Sequence, residues 1–418
     1  MRQGFFTLDE IDEQSSNSKF KGVNFNSEAK CGVCKLHKQC KSPFMKVSGK
    51  GKKEILIVGE APGADEDEEG KPFVGKAGRK LSSVLSRLGI SMRQDCWITN
   101  TIICRPPNNQ TPTPSQIDCC NPNLVSTINR LEPKVIISLG AVPTNTLVSM
   151  LWKSSESKDE SMTKWAGWTI PLQELNCWLC PTFHPSYILR NEGTSNYDVL
   201  FRMFTEHLKV AIQKSKRRPW KKVPNHKKEV QIIMDKDEVV ERIRRYRKEG
   251  GLLAFDYETN MLKPDGPQAA IRCCSICWEG KETISFPWTG LALKREMSRL
   301  LRSKSTEKIA SNLKFEERWT RKEFGHGVRN WKWDTMLAAH WLDNRRGITS
   351  IKFQSFVLLG EQDYDSHLKS KLFSKGGNEQ NRVRDIPIRE LLLYCGMDSL
   401  LEYKVAKIQM NFWKRRVK

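Results

Sequence analysis

The feature that most constrains the fold is a basic, proline-containing segment in the middle of the chain. Residues 214–228 read KSKRRPWKKVPNHKK, with eight Lys or Arg residues and two prolines. A hydrophobic core cannot bury so many charges, so we expect a linker or a strap that faces phosphates. The 418 residues also exceed the usual size of a single core. The sequence therefore predicts a flexible arm at residues 1–30 and two domains, at residues 31–213 and 229–418.

Each predicted domain alternates short apolar runs with amphipathic stretches. In the first, EILIVGE, DCWITNTIIC, KVIISLG and CWLCPTFHP are typical of strands, and AGRKLSSVLSRLG and PSQIDCCNPNLVSTINRL are typical of helices. In the second, VQIIM, LLAFDYET, IRCCSICW and ETISFPW predict strands and DEVVERIRRYRKEG predicts a helix, whereas the remainder is expected to be largely helical. This order predicts α/β folds for both domains, with functional residues at the ends of strands.

The charge balance indicates the class of partner. Seventy Lys and Arg residues against 48 Asp and Glu residues give a net charge of +22. Such an excess favours nucleic acid, because neutralised phosphates release condensed counterions. Solubility alone, or an acidic membrane surface, would explain the same charge, but no segment resembles a basic amphipathic membrane helix. No apolar run reaches the ~18 residues of a membrane span, and the N-terminus lacks a secretory pattern, so we expect a cytoplasmic protein.

A series of short motifs runs through the first domain. In chain order they are Cys31-x-x-Cys34, GEAPG at 59–63, KPFVGKAG at 71–78, Thr99-Asn100, CRPP from Cys104, Cys120, and HPSY at 184–187. Over residues 31–212 this ordered set resembles the iron–sulfur uracil-DNA glycosylases, the group called family 4. The resemblance implies a three-layer α/β/α sandwich that removes uracil from DNA.

The residue types in these motifs suit that chemistry. Phe73 lies in a glycine-flanked loop, where an aromatic ring is either a hydrophobic plug or a surface that stacks on an extruded base. The amide of Asn100 offers a donor and an acceptor, which match the edge of uracil and reject cytosine. The ring of His184 can stabilise the uracil anion that leaves when the N-glycosidic bond breaks. By resemblance, Glu60 positions or activates water and Glu66 lines the uracil-binding pocket.

The cysteines in the first domain suggest a metal centre. Thirteen cysteines in a cytoplasmic chain favour metal or cluster ligation over a disulfide framework. Cys31, Cys34, Cys104 and Cys120 match the cluster ligands of the family, and thiolates from separated segments suit a 4Fe–4S cluster. Zinc is the alternative metal, because tetrahedral thiolate sites bind it readily. Cys119 competes for the fourth position, and the remaining cysteines of this domain are then structural: Cys40, Cys96, Cys177 and Cys180.

A second series of motifs runs through the C-terminal domain. Asp256 and Glu258 alternate in FDYETN, so a strand points both carboxylates to one face. Glu316 follows in NLKFEERW, and Tyr394 and Asp398 lie one helical turn apart in YCGMDSLLEYKV. Over residues 229–418 this order resembles the DEDD exonucleases of the DnaQ-like superfamily, in the subgroup with a Y-x-x-x-D motif. The proofreading domains of family A DNA polymerases are the most similar group, and they imply a ribonuclease H-like fold.

This resemblance implies a two-metal phosphodiester hydrolase. Two divalent ions activate water and stabilise the leaving oxygen, and hard ions such as Mg²⁺ or Mn²⁺ prefer carboxylate ligands. Glu316 stands where most of the family has aspartate, and Tyr394 is expected to orient the attacking water. Asp334 is interpreted as a helix N-cap rather than as a ligand. The implied metal ligands are Asp256, Glu258, Glu316 and Asp398.

Together the two domains predict a replication or repair enzyme that excises uracil and degrades DNA from its 3′ end. The combination resembles the front of certain bacteriophage family A DNA polymerases, which implies a phage origin and a polymerase module that follows or is supplied as a separate subunit. Two alternatives stay open. In one alternative, the first domain senses uracil or docks on DNA without cleaving it. In the other, the second domain trims RNA, since Y-x-x-x-D exonucleases include RNA-processing enzymes.

Overall fold

The computed structural model describes residues 29–152, 161–374, 376 and 379–416. The chain divides into two compact units between Val223 and Pro224, within the predicted linker. We call residues up to 223 unit 1 and residues from 224 unit 2. The expected N-terminal arm lies almost wholly outside the described residues. No helix in the described part of the chain has the length and apolar character of a membrane span.

Unit 1 is built on a five-stranded sheet in the order β2-β1-β3-β5-β4. Three of the four pairings are parallel, as the strand–helix alternation predicts, and β4 pairs with β5 in the antiparallel direction. The sequence reading missed β4, which is only three residues long. It contains a proline, and prolines within sheets are confined to edge strands, where β4 lies. The strands are β1 Ile55–Gly59, β2 Cys96–Asn100, β3 Val135–Leu139, β4 Ile170–Leu172 and β5 Cys177–Thr182.

Helices cover both faces of this sheet. Ile55 and Ile57 of β1 share a buried cluster with residues of α3 and α9, and Leu56 and Val58, which point to the opposite face, are also fully buried. This is the expected three-layer α/β/α arrangement. The helices are α1 Cys31–Cys34, α2 Ala64–Glu69, α3 Lys76–Arg87, α4 Met92–Asp95, α5 Pro114–Leu131, α6 Ala141–Leu151, α7 Met162–Trp165, α8 Pro185–Arg190 and α9 Tyr197–Lys214.

Unit 2 is built on a six-stranded mixed sheet in the order β11-β10-β7-β8-β9-β6. The pairs β7–β8 and β8–β9 are antiparallel, and the outer pairs are parallel. The strands are β6 Val230–Ile232, β7 Gly251–Thr259, β8 Ile271–Trp278, β9 Glu282–Pro287, β10 Thr306–Ala310 and β11 Trp331–Asp334.

One long helix, α16, runs across the sheet of unit 2 and contacts four of its inner strands. It carries both residues of the Y-x-x-x-D motif. The helices of this unit are α10 Lys236–Glu249, α11 Leu291–Arg302, α12 Lys314–Phe324, α13 Thr335–Leu342, α14 Ile351–Leu359, α15 Lys369–Leu372 and α16 Ile388–Arg416. The predicted ribonuclease H-like α/β class is confirmed.

The chain after β9 is largely helical, as expected, but the sequence reading did not identify the strands β10 and β11. The strand β10 is disguised by Lys308, a charged residue that is fully buried at its centre. The Lys308 ammonium group donates hydrogen bonds to the carbonyl oxygens of Ser303, at 2.6 Å, and Thr306, at 2.9 Å. These bonds offset the cost of burying the amine, and burial lowers the pKa of Lys308 to about 8.

Both ends of the predicted linker pack against a unit. The Arg218 guanidinium donates to the carbonyl oxygen of Glu132 at 2.8 Å, and the Trp220 N–H donates to Oδ1 of Asn176 at 3.2 Å, so this part lies on unit 1. His226 is buried in unit 2, where its Nδ1 lies 2.5 Å from Oε2 of Glu361. The exposed lysines between these anchors remain available to phosphates.

Candidate active sites and metal centre

A close-packed group of residues lies at the carboxyl ends of β1 and β2 in unit 1. A Cβ atom added to Gly59 would lie 2.4 Å from Oδ1 of Asn100 and 2.6 Å from Cζ of Phe73. Asn100 is only 4% exposed, and within the described residues no hydrogen bond to its side-chain amide is present. The sheet thus brings Phe73 and Asn100 together, as the sequence reading expected, and leaves a buried amide available to a ligand.

The backbone at Phe73 adopts a left-handed conformation, with φ at 57°. Arg93 holds this turn by donating hydrogen bonds to the carbonyl oxygens of Pro72, at 2.8 Å, and Phe73, at 3.1 Å. A Cβ at Gly78 would lie 2.1 Å from the carbonyl oxygen of Phe73, so a side chain there is excluded. A non-glycine residue at positive φ is strained, and these contacts fix the ring of Phe73 in place.

Glu66 ties the two glycine-containing loops of this site together. Its carboxylate accepts hydrogen bonds from the backbone N–H groups of Gly63 at 3.1 Å, Val74 at 3.1 Å and Gly75 at 2.9 Å. Three backbone donors occupy most of its acceptor capacity. The structure therefore engages Glu66 in shaping the loop that carries Phe73, whereas the sequence reading placed it in the lining of the uracil-binding pocket.

His184 is the N-cap of α8 and faces Phe73, with a ring-centroid separation of 6.2 Å. The Ser186 backbone N–H donates to Nδ1 of His184 at 3.2 Å, and the Ser186 hydroxyl lies 2.7 Å from the same atom. A ring nitrogen that accepts a hydrogen bond carries no proton, so the neutral ring holds its proton on Nε2. Burial, followed by the charge of Arg190, lowers the pKa of His184 to about 4.

Arg190 was missed by the sequence reading and links His184 to Glu60. It lies at the end of α8, where it donates a hydrogen bond to the Ser186 hydroxyl at 3.2 Å. Burial raises the pKa of Glu60, and the charge of Arg190 and a hydrogen bond from Thr111 oppose that rise. Arg190 could have been found from the sequence, because its i, i+4 spacing from Ser186 places the two side chains next to each other on a helix. The site thus combines a neutral imidazole, a half-buried carboxyl and a nearby cation.

Replacing Gly59 with alanine is expected to lower any activity of this site about tenfold to a hundredfold while unit 1 stays folded. The new methyl group would displace the Asn100 amide or the Phe73 ring, and displacements near 1 Å cost rates of that order. Steady-state uracil release and thermal unfolding check this. Gly32→Ala is the matched control, because its methyl group would meet no atom within 4 Å. Equal activity in both variants would contradict the assignment.

Five cysteines line one cavity in unit 1: Cys31, Cys34, Cys104, Cys119 and Cys120. The backbone N–H of Phe44 donates to Sγ of Cys104 at 3.4 Å, and the Asn123 amide donates to Sγ of Cys120 at 3.5 Å. Burial raises the pKa of the Cys104 thiol to about 12, so a nearby positive charge such as a metal is needed to hold it as a thiolate. The four predicted ligands therefore lie around a single space, with Cys119 beside them.

The sulfur spacing can be compared with what each of the two metals considered requires. A tetrahedral zinc with Zn–S bonds of ~2.3 Å sets its sulfur atoms ~3.8 Å apart. Among the described cysteines, no three sulfur atoms lie within 4.8 Å of one another. An iron–sulfur cluster spaces its thiolates more widely, because each thiolate binds a different iron atom. Of the four cysteines expected to be structural, Cys96, Cys177 and Cys180 are buried in the fold, whereas Cys40 is partly exposed and packs beside Cys104 and Cys120.

In unit 2, the carboxylates of β7 meet the helix α16. Asp256 and Glu258 point to one face of the strand, and ligand atoms of Asp256, Glu258 and Cys395 all lie within 4.8 Å of one another. Burial, followed by the charge of Asp398, raises the pKa of Asp256 to about 7. Burial and the charge of Asp256 also raise the pKa of Glu258. Carboxyls crowded in this way are stabilised by a bound cation.

Asp398 lies beside this group but is held by other partners. The Lys352 ammonium and the Tyr364 hydroxyl both donate to its Oδ1. Lys352 also lies 4.4 Å from the centroid of the Tyr394 ring. Among the described residues, Asp398 does not join Asp256 and Glu258 in a set of ligand atoms within 4.8 Å. The predicted ligand set is therefore adjacent but not fully assembled, and Lys352 neutralises the charge of Asp398.

Two further buried carboxyls border the acids of β7. Glu316 and Glu402 are each 2% exposed, and neither Oε2 atom has a hydrogen-bond partner within the described part of the chain. Burial and the charge of Asp256 raise the pKa of each. Glu402 was missed by the sequence reading, although it lies one helical turn beyond Asp398. Asp334 caps α13 by accepting from the N–H groups of Met336 and Leu337, which confirms its N-cap interpretation.

Comparison with known proteins matches each unit to a protein family. Residues 46–209 match the model of the uracil DNA glycosylase superfamily. The type-4 uracil-DNA glycosylase of Pyrobaculum aerophilum is 41% identical over 162 residues, which cover 38% of this chain and 80% of the relative. The chain belongs to the type-4 uracil-DNA glycosylase family. The enzyme of the same name from Thermotoga maritima is 40% identical over 169 residues, covering 39% of this chain and 80% of that relative.

The region beyond the glycosylase unit matches a second family. Residues 230–412 match the model described as 3′-5′ exonuclease. The DNA polymerase of Bacillus phage SP01 is 23% identical over 329 residues, which cover 72% of this chain. The chain spans about a third of that polymerase, with 34% of its length covered. This type-4 glycosylase therefore carries an exonuclease unit, and both resemblances noted in the sequence are confirmed.

Proposed function

We propose that the chain is a two-site DNA-processing enzyme. Unit 1 hydrolyses the N-glycosidic bond of deoxyuridine in DNA, and unit 2 removes nucleotides from a 3′ end. The observation that carries the proposal is the presence of two separately assembled sites in one chain. One gathers Phe73, Asn100 and His184 around a strand end, and the other gathers partly buried acids at β7.

Uracil excision follows from the groups of the unit 1 site. The Phe73 ring stacks on the extruded base, and the Asn100 amide reads its edge through one donor and one acceptor. As the N-glycosidic bond breaks, its electron pair moves onto the pyrimidine. The Nε2–H of the neutral His184 ring donates a hydrogen bond to the oxygen that gains this charge. Water, positioned by Glu60, adds to the sugar carbon, and the proton that it loses neutralises the uracil anion, which yields free uracil and an abasic sugar.

We propose that the cysteine cavity holds a 4Fe–4S cluster bound by Cys31, Cys34, Cys104 and Cys120. Thiolates from separated segments, with sulfur atoms spaced too widely for one zinc ion, fit this group. The cluster would supply a scaffold that holds α1 against the loop following β2, because hydrolysis of an N-glycosidic bond needs no electron transfer. Its ligands are in reach of the GEAPG turn, since Ala61 packs beside them.

Replacing Cys120 with serine is expected to remove most of the bound iron, whereas Cys119→Ser should keep it. The two residues are neighbours on α5, and we assign ligation to Cys120, whose sulfur accepts from Asn123. Iron and acid-labile sulfide per chain, measured on anaerobically purified protein, check this, with four of each expected for the parent. The ligand assignment is wrong if Cys119→Ser loses the iron instead. A parent protein that contains one zinc ion per chain and no iron would contradict the cluster proposal.

We propose that the unit 2 site binds two Mg²⁺ or Mn²⁺ ions. The residues fit such ions, because buried carboxyls with unpartnered oxygens need compensating positive charge. Asp256, Glu258, Glu316 and Asp398 would hold the ions, which supply activation of water and stabilisation of the leaving oxygen when bound. Tyr394 orients the attacking water with its hydroxyl. Lys352, which now pairs with Asp398, would turn to the phosphate or release the carboxylate when DNA binds.

DNA is the proposed substrate of both sites, and a DNA polymerase is the proposed partner. The net charge of +22 and the similarity to a phage polymerase support this role. Matched DNA and RNA oligonucleotides, incubated with Mg²⁺, test the exonuclease, and we expect faster degradation of the DNA strand. Alkali treatment of a uracil-containing DNA strand tests the glycosylase. Binding to uracil without alkali-sensitive breaks would leave unit 1 as a sensor, and preference for RNA would reassign unit 2.

A further inference from the structure

A cysteine lies inside the acidic group of unit 2. Cys395 directly follows Tyr394 on α16 and is fully buried. Its Sγ lies 3.6 Å from Oδ2 of Asp256 and 3.7 Å from the carbonyl oxygen of the same residue. Together with Glu258, these residues supply two oxygens and one sulfur within 4.8 Å of one another, the single such set among the described residues.

The spacing of these atoms suits a transition metal. Bonds of ~2.3 Å to sulfur and ~2.1 Å to oxygen, at a tetrahedral angle, place the sulfur and oxygen ~3.6 Å apart. The observed separation of 3.6 Å between Cys395 and Asp256 agrees with that value. A buried cysteine is often only a small apolar side chain, and Cys395 does also contact apolar residues. Its sulfur, however, also has polar partners, because the thiol donates to the carboxylate of Asp256 and forms a hydrogen bond with the thiol of Cys273.

A second observation points to a cation at the same place. Glu316 is 2% exposed, and its Oε2 has no hydrogen-bond partner within the described residues. Burial and then the charge of Asp256 raise the pKa of its carboxyl. An unpartnered carboxyl oxygen beside two further acids marks a place that a bound cation would stabilise.

We propose that Cys395 adds a thiolate ligand to the exonuclease metal site, so that the site binds thiophilic divalent ions such as Zn²⁺, Cd²⁺ and Co²⁺ more tightly than Mg²⁺. The inference rests on the proposed metal site of unit 2. Soft sulfur ligands select such ions, whereas Mg²⁺ prefers oxygen alone. Zn²⁺ therefore competes with Mg²⁺ at Asp256 and Glu258, and micromolar Zn²⁺ inhibits the Mg²⁺-supported exonuclease.

The test is a Co²⁺ titration of the full chain, with its iron–sulfur centre reconstituted beforehand and its spectrum subtracted. We expect a near-ultraviolet sulfur-to-cobalt charge-transfer band in the parent. The band should be lost in Cys395→Ser, in Cys395→Ala and in Asp256→Asn, which ties it to this site. Cys277→Ser is the matched control, a fully buried thiol of the same sheet outside the acidic group, and it should keep the band.

Inhibition provides a second readout. The Zn²⁺ concentration that halves Mg²⁺-supported degradation should rise about tenfold or more in Cys395→Ser and stay unchanged in Cys277→Ser. A parent without a sulfur band, or a band that survives Asp256→Asn, overturns the inference even if neither Cys395 variant folds. A parent that shows the band but degrades no DNA in Mg²⁺ supports the thiolate ligand and contradicts the proposed exonuclease function instead.

Discussion

The double substitution Asp256→Ala with Glu258→Ala is expected to slow Mg²⁺-dependent degradation of single-stranded DNA about a thousandfold or more. Both side chains belong to the buried acidic group, and metal activation of water and of the leaving oxygen is worth several kcal/mol. Burial, followed by the charge of Asp398, raises the pKa of Asp256 to about 7, so removal of this carboxyl relieves an unfavourable burial. The unfolding temperature should therefore not fall steeply. Single-turnover degradation of a 5′-labelled strand measures the rate.

A matched control removes two acids of unit 2 that lie outside the site. Asp265 pairs with Arg318, and Glu307 pairs with Lys332 at 2.8 Å, both at the surface. Asp265→Ala with Glu307→Ala should degrade DNA at nearly the parental rate, since surface ion pairs contribute little. Undiminished degradation by the Asp256 and Glu258 variant would remove the proposed metal site.

The substitution His184→Ala is expected to slow uracil excision about a hundredfold to a thousandfold. The loss corresponds to one preorganised donor to a developing oxyanion. Ser186→Ala should cost less, because the Ser186 backbone N–H still donates to Nδ1 and keeps the ring proton on Nε2. Release of labelled uracil from single-stranded DNA measures the rate. His207→Ala, at a partly buried histidine that lies 3.0 Å from the Thr182 hydroxyl, is the control and should retain most of the activity.

The lowered pKa of His184 also predicts a pH dependence. With a pKa of about 4, the ring stays neutral, so excision should not decline through protonation of His184 between about pH 8 and pH 5.5. In the unfolded chain a histidine takes up its proton near pH 6.5, so the unfolded state binds more protons below that pH. The contribution of His184 to stability is therefore present above about pH 6.5 and is lost as the pH falls towards 4. An excision rate that drops tenfold per pH unit below 6.5 would contradict a neutral ring.

The sequence predicted the strand-end residues of unit 1 well because their positions follow from local pattern. A parallel strand with an apolar run and a following turn places Asn100 at the edge where such sheets bind ligands. The close approach of Phe73 to Gly59 is a long-range contact, and only the glycine hints at it. The three backbone partners of Glu66 depend on how two loops fold together, so its bracing contacts were not predictable.

In unit 2 the acidic motifs were predictable, but their partners were not. Lys352 is 46 positions away from Asp398 in the chain, and nothing in the local sequence links them. The buried ammonium group of Lys308 concealed β10, because a lysine at the centre of a strand contradicts the usual apolar pattern. Glu402 continues the helical face of Asp398 and could have been found from its i, i+4 spacing. Tertiary packing decided each of these outcomes.

The most direct test of two independent sites uses one 5′-labelled DNA strand with a single uracil and three proteins. The parent should produce an alkali-sensitive break at the uracil in the presence of a chelator and a ladder from the 3′ end in Mg²⁺. His184→Ala should keep the ladder and lose the break, and Asp256→Ala with Glu258→Ala should keep the break and lose the ladder. A variant that loses both products while remaining folded, or a parent that makes neither, would contradict the assignment of separate activities to the two units.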